Sequence, residues 1–217
     1  MIPLVPAIIP KSQTELTDTL AKLDFATEVQ VDVVDGQFVP FVSWPYEPKG
    51  EPKAIYEVAD RFTLEVDLMV KDQLAAADSW LEAGADMLVF HLEGISLAEL
   101  KDFISFAPAT VGIAALNDTP FAELVPYLEI VDFVQVMGIA EIGTQGQAFD
   151  RRALDRIRQI KEQFPQLLIS VDGSVNENTI EELYLAGAGR LVVGSAITKA
   201  ENPEQAFWQL HKRINPL

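Results

Sequence analysis

No cysteine occurs among the 217 residues, which excludes disulfides and thiolate metal sites and gives no pointer to an oxidising compartment. No apolar run reaches the roughly eighteen residues that a membrane-spanning helix needs. The opening Met1-Ile2-Pro3-Leu4-Val5-Pro6 lacks the basic region and cleavage site of a secretory leader, so the expected location is the cytoplasm. Positive charge is scarce as well. Sixteen Lys and Arg face 33 Asp and Glu, a formal net charge of -17, which disfavours nucleic acid and anionic membrane as partners. A phosphorylated metabolite stays compatible with that charge, because backbone N–H groups at helix N-termini hold phosphate without lysine.

What is present is a regular alternation. Apolar, β-type runs recur at Leu4–Ile9, Val29–Val34, Leu64–Val70, Met87–His91, Val111–Leu116, Phe133–Met137, Leu167–Val171 and Leu191–Val193. Helical patterns lie between them. Ser12 with Glu15 and Ser96 with Glu99 read as capping boxes. Thr119-Pro120 and Asn202-Pro203 place a capping residue before a proline suited to the first helical turn. Ala83-Gly84 and Ala186-Gly187 read as stops. Eight strand–helix units predict parallel strands buried on both faces, hence a single (β/α)8 TIM barrel over residues 1–217, with an open doubly wound sheet as the competing arrangement.

In such a barrel the C-terminal strand ends line the active site. Those ends carry Gln30 and Asp32, Asp67, His91 with Glu93, Asn117, Met137, Asp172, and Gly194-Ser195. Three aspartates converging in a low-dielectric mouth cannot all stay ionised without a cation, a shared proton or intervening water. Asp32 and Asp172 both end apolar strands in Asp-Gly-type turns and form a candidate acid/base pair. Later loops add anion-binding features: Gly143-Thr144-Gln145-Gly146, Gly173-Ser174 and Gly194-Ser195. Their joint placement after strands six, seven and eight favours a phosphate seat.

Val31-Asp32-Val33-Val34-Asp35-Gly36-Gln37-Phe38-Val39-Pro40 resembles the signature of the ribulose-phosphate 3-epimerase family. Asp67-Leu68-Met69-Val70, Phe90-His91-Leu92-Glu93, Val136-Met137, Val171-Asp172-Gly173 and Val193-Gly194-Ser195-Ala196-Ile197 extend the resemblance, in order, over nearly the whole chain. The resemblance implies a ribulose-phosphate-binding type of barrel and a ketose-phosphate 3-epimerase. One aspartate removes the proton beside the carbonyl and the other returns one to the opposite face, through an enediolate. By position Asp32 resembles the base and Asp172 the acid, with Met69, Met137 and His91 as pocket residues beside the phosphate loops. The family often forms homo-oligomers.

Departures from the family pattern shape the remaining expectations. Where the family holds a divalent metal with His, Asp, His and Asp, this chain has Gln30, Asp32, Asp67 and Asp172. Its only histidines are His91 and His211, elsewhere. An oxygen-only set suits magnesium or manganese better than zinc or iron, and an enzyme without metal stays an option. The serine ending the family's first strand is Pro10, and the phosphate loop from Gly138 to Gly146 is altered. Two alternatives therefore stand beside the epimerase. One is a non-catalytic phosphosugar-binding relative. The other is a magnesium-dependent hexulose-phosphate synthase or keto-gulonate-phosphate decarboxylase, although strand three offers only Asp67 of their Asp-x-Lys-x-x-Asp run. Asp35 reads as a strand-end support, His91 as either a pocket residue or a partner of Glu93, and the aromatic loop from Phe38 to Pro52 as a lid or subunit contact.

Overall fold

The structure, a computed structural model, describes residues 3–143 and 146–215. Thr144 and Gln145 of the expected phosphate loop lie outside the described residues. Eight strands, β1 (Leu4–Ile8), β2 (Glu28–Val34), β3 (Thr63–Met69), β4 (Met87–His91), β5 (Thr110–Ala115), β6 (Phe133–Met137), β7 (Leu168–Asp172) and β8 (Arg190–Val193), pair in chain order. Every pairing is parallel, and β8 returns to β1 to close the barrel. The open sheet is thereby excluded.

Strand alternation sorts the side chains into two populations. Val29, Val31 and Val33 of β2 and Leu64, Val66 and Leu68 of β3 face outward into the main core, against the helices. The other parity faces the barrel interior, where Val34, Met69, Val89, Ala114, Phe133 and Met137 form a separate cluster. Near-continuous apolar strands follow from this two-sided burial.

Around the barrel run α1 (Gln13–Lys22), α2 (Tyr56–Ala59), α3 (Gln73–Glu82), α4 (Leu97–Ile104), α5 (Phe121–Leu128), α6 (Arg152–Gln163), α7 (Ile180–Ala186), α8 (Ser195–Thr198) and α9 (Pro203–Ile214). Ser96 and Glu99 form the full capping box of α4, and Asn202 caps α9 by accepting from Gln205 N–H. The start of α1 is only half a box: Ser12 accepts from Glu15 N–H, but the Glu15 carboxylate accepts from Lys11 N–H instead of Ser12. Thr119 does not cap α5. Pro120 takes that position, and the Thr119 hydroxyl donates to Glu93.

The loop after β2 is packed down on the barrel. Trp44 is buried and meets Trp80 of α3 edge-on, with ring centroids 6.0 Å apart. Asp35 organises the loop's start: its Oδ1 accepts from Gln37 and Phe38 N–H, and its Oδ2 accepts from Lys71 N–H.

Candidate active site

Asp32 and Asp67 are register partners on adjacent strands, and Asp172 is the last residue of β7. Because their neighbours face outward, all three point into the barrel. Each offers one oxygen such that these atoms lie within 4.8 Å of one another. Gln30, one layer deeper on β2, ties two of them together. Its Nε2 donates to Asp32 Oδ1 at 2.6 Å and to Asp172 Oδ2 at 3.2 Å, across 142 residues of sequence. The third carboxylate has its own donors: His91 Nε2 lies 2.6 Å from Asp67 Oδ1, and Gln135 Nε2 donates to Asp67 Oδ2 at 2.9 Å.

The electrostatics follow from burial and crowding. Burial, then the charges of Asp172 and Asp67, push the Asp32 carboxyl well above the usual carboxylate range, against the opposing Gln30 hydrogen bond. Burial and Asp67 raise Asp172 to about 7, while Gln30 and the Gly173 N–H oppose. Each pair of charged carboxylates at this spacing costs on the order of 3 kcal/mol at an effective dielectric near 20. Below the cluster, Glu65 is neutralised in part by Arg190, whose Nη1 donates to both its oxygens at 2.9 and 3.0 Å. Burial still raises the Glu65 carboxyl.

These residues fit a hard divalent cation. Three oxygen donors converge, and two of the carboxylates have raised proton affinity for lack of a counter-charge. Gln30 Oε1 is buried and without a hydrogen-bond partner among the described residues, and exchanging the two ends of this amide would turn its oxygen toward Asp32 and Asp172 to join the set. The arrangement can hold a cation, or a proton shared between Asp32 and Asp172.

Above the carboxylates lies a cavity of about 260 Å³. Asp32 and Asp172 line it together with Gly143, Gly146, Gly173, Ser174, Gly194 and Ser195, and Met69 and Met137 add apolar surface. No lysine or arginine lines it among the described residues. The backbone comes close here: a Cβ on Gly138 would sit 2.0 Å from Gly173 O, and Gly173 itself has φ +100°. A wider groove of about 1020 Å³ lies on the outer flank between the β2 loop and α3, away from the Asp32–Asp172 pair.

The expectation for His91 needs correction. It neither lines the cavity nor pairs with Glu93. It is fully buried behind Asp67, and Glu93 instead accepts from Leu116 N–H and from Thr119. The physical reason is reach: an imidazole on β4 meets the shorter Asp67 side chain inside the barrel before it could emerge. Gln135 was missed. Its signal was present, as a lone amide at inward parity in the apolar strand Phe133-Val134-Gln135-Val136-Met137. Glu65 and Arg190 were missed in the same way. Ala7, Ile9 and Asn176 also line the cavity without having been singled out.

The closed parallel barrel carries carboxylates and glycine-rich loops at the C-terminal strand ends, where barrel enzymes have their active sites, and the family that the sequence matches makes it an isomerase, an epimerase. The sequence pattern of the ribulose-phosphate 3 epimerase family matches residues 3–198, and the chain belongs to that family. Ribulose-phosphate 3-epimerase of Mycobacterium leprae is 32% identical over 224 residues, covering 98% of this chain and 96% of the relative. That of Schizosaccharomyces pombe is 30% identical over 194 residues, covering 86% and 81%. Among solved structures, KGPDC from Streptococcus mutans aligns with a TM-score of 0.75 over 99% of this chain and 98% of its own, at 12% identity. 3-Hexulose-6-phosphate synthase from Salmonella typhimurium gives 0.74 over 99% of each, at 18%. At these identities the structural likeness is one of fold. No helix of the described residues is long and apolar enough to cross a membrane.

Proposed function

We propose that the chain is a ketose-phosphate 3-epimerase acting on ribulose 5-phosphate or a close analogue, with Asp32 as base and Asp172 as opposing acid. The observation that carries the reading is the pair itself. A buried and a half-buried carboxyl group, both of raised proton affinity, line one cavity together with glycine-rich backbone. Such a pair can hold one proton between two sites, which inversion at a single carbon requires.

Gln30 occupies Asp32 Oδ1 and Asp172 Oδ2, which leaves Asp32 Oδ2 and Asp172 Oδ1 outside that contact for proton exchange. The ionised partner takes the proton beside the ketose carbonyl, giving an enediolate. The protonated partner delivers its proton to the other face, and the pair ends in the reverse protonation state. Gln30 steadies whichever of the two is ionised. Backbone N–H groups at Ser174 and Gly194–Ser195 seat the phosphate without a cationic side chain. Asp32, Asp67, Asp172 and Gln30 would hold magnesium or manganese, an ion that supplies Lewis-acid polarisation of the carbonyl when bound. The apolar wall of Met69, Met137 and Ile139 limits access of water to the reacting carbon.

The test is direct. Ribulose 5-phosphate is incubated with the chain and either magnesium, manganese or a chelator, and the products are followed by NMR. Appearance of the 3-epimer, xylulose 5-phosphate, with a cation and its loss with chelator support the reading. Tight binding of the sugar phosphate without turnover would assign the chain instead to the non-catalytic relatives.

A further inference from the structure

We infer that His91 and Gln135 are positioning residues that hold the Asp67 carboxylate in one orientation toward Asp32 and Asp172, and so set the affinity of the cluster for a divalent cation. The inference rests on the cation reading above and assigns roles to two residues that never reach the cavity. Asp67 is fully buried, and each of its oxygens meets a different strand: Oδ1 meets His91 Nε2 from β4, and Oδ2 accepts from Gln135 Nε2 of β6. Turning the carboxylate about its Cβ–Cγ bond would break both hydrogen bonds together.

The clamp is itself held in place. Gln73, at the start of α3, accepts from His91 N–H at 2.7 Å and donates to His91 O at 2.9 Å. The Phe38 ring lies 5.5 Å from the imidazole. The amide orientation of Gln135 follows from chemistry, because an ionised carboxylate only accepts. The same argument fixes the imidazole. His91 Nδ1 is buried and has no partner among the described residues, so a proton there would be an unpaired donor. Nε2 carries the proton that Asp67 accepts.

The need for a clamp comes from repulsion. Left free, Asp67 would rotate away from two neighbouring carboxylates, and a cation would have to bring it back. Held in place, it forms part of a preorganised set, the role of outer hydrogen-bond partners at metal sites generally. Two donors from opposite sides of the carboxylate do what one could not.

Manganese binding to the full-length chain, read from the EPR signal of free Mn²⁺, tests this without reference to turnover. Gln135→Leu removes one donor with little change in volume and should weaken Mn²⁺ binding about ten-fold or more. His91→Leu should do the same, while His91→Gln, which still places an N–H near Asp67, should stay close to wild type. In an Asp67→Asn background, Gln135→Leu should add almost nothing. Should His91→Leu fail to fold, Gln135→Leu and its cycle with Asp67→Asn decide the matter. Wild-type affinity in Gln135→Leu would overturn the inference and leave the cation reading standing. Failure of the wild-type chain itself to take up Mn²⁺ would overturn both.

Discussion

Asp172 and Asp32 carry raised carboxyl groups, and the sign of that shift has a consequence for stability. A carboxyl whose folded pKa exceeds its unfolded value near 3.9 binds a proton in the folded state that the unfolded chain has already lost. Its contribution is therefore fully present below pH about 4 and shrinks as pH rises toward the folded value, about 7 for Asp172. The metal-free chain should thus lose thermal stability between pH about 4 and about 7, the range bounded by those two values. Asp172→Asn should flatten the slope, and saturating magnesium should restore stability at the upper end of the range. A slope unchanged by the substitution would show that Asp172 keeps an ordinary carboxylate affinity. At this scale the sequence was informative about identity and silent about partners. The strand-end rule found Asp32, Asp67 and Asp172, since each stands in the C-terminal part of an apolar run. It could not say that Gln30 bridges two of them or that His91 stops at Asp67, because both depend on side-chain reach across the barrel.

Strands are the elements on which the site is built, and their interior parity carries a polar ladder. Gln30 precedes Asp32 by two residues, Glu65 precedes Asp67, Gln135 precedes Met137, and Ser170 precedes Asp172, so one layer of polar groups lies beneath another. Arg190 of β8 anchors the lower layer through Glu65, with further contacts to Glu28 and Ser170 Oγ. Breaking such a buried pair from one side leaves an uncompensated charge. Arg190→Met should cost about 3–5 kcal/mol by chemical denaturation, and adding Glu65→Gln should recover much of it. Equal losses in the single and double variants would show that the arginine matters for packing alone. Strand positions were legible to within a residue because burial on both faces writes them as continuous apolar runs. Helix starts were less so. At Thr119-Pro120 the proline itself takes the capping position and the threonine hydroxyl turns to Glu93, a competition that local spacing does not reveal. The aromatic loop after β2 likewise gave no sign that Trp44 would be buried in the core.

Closure of the barrel is what turns scattered residues into a site. Asp32 and Asp172 belong to β2 and β7, which meet only through the interior that eight paired strands enclose. The fold was readable from the alternation alone, and the family from motifs running from the second strand to the last. The chemistry of the metal position was the least readable part. An amide and a carboxylate stand where the family pattern has imidazoles, and Asp67 is met by His91, which lies in a family motif without its contact being readable there, and by Gln135, which no motif marks. Asp32 and Asp172 are both retained beside these changes, and the proposed acid/base roles make opposite demands on a substrate between them. The most direct measurement follows that substrate's proton. Ribulose 5-phosphate is incubated in deuterated water with magnesium or manganese, with the wild-type chain and with Asp32→Asn and Asp172→Asn, and the hydrogen at C3 is followed by NMR. The account predicts solvent deuterium at C3 in both epimers with the wild-type chain. In each variant it predicts a loss of epimer formation of about 100-fold or more, with exchange confined to one epimer or absent. Full epimerisation in either variant, or inversion without solvent deuterium in the wild type, would contradict it.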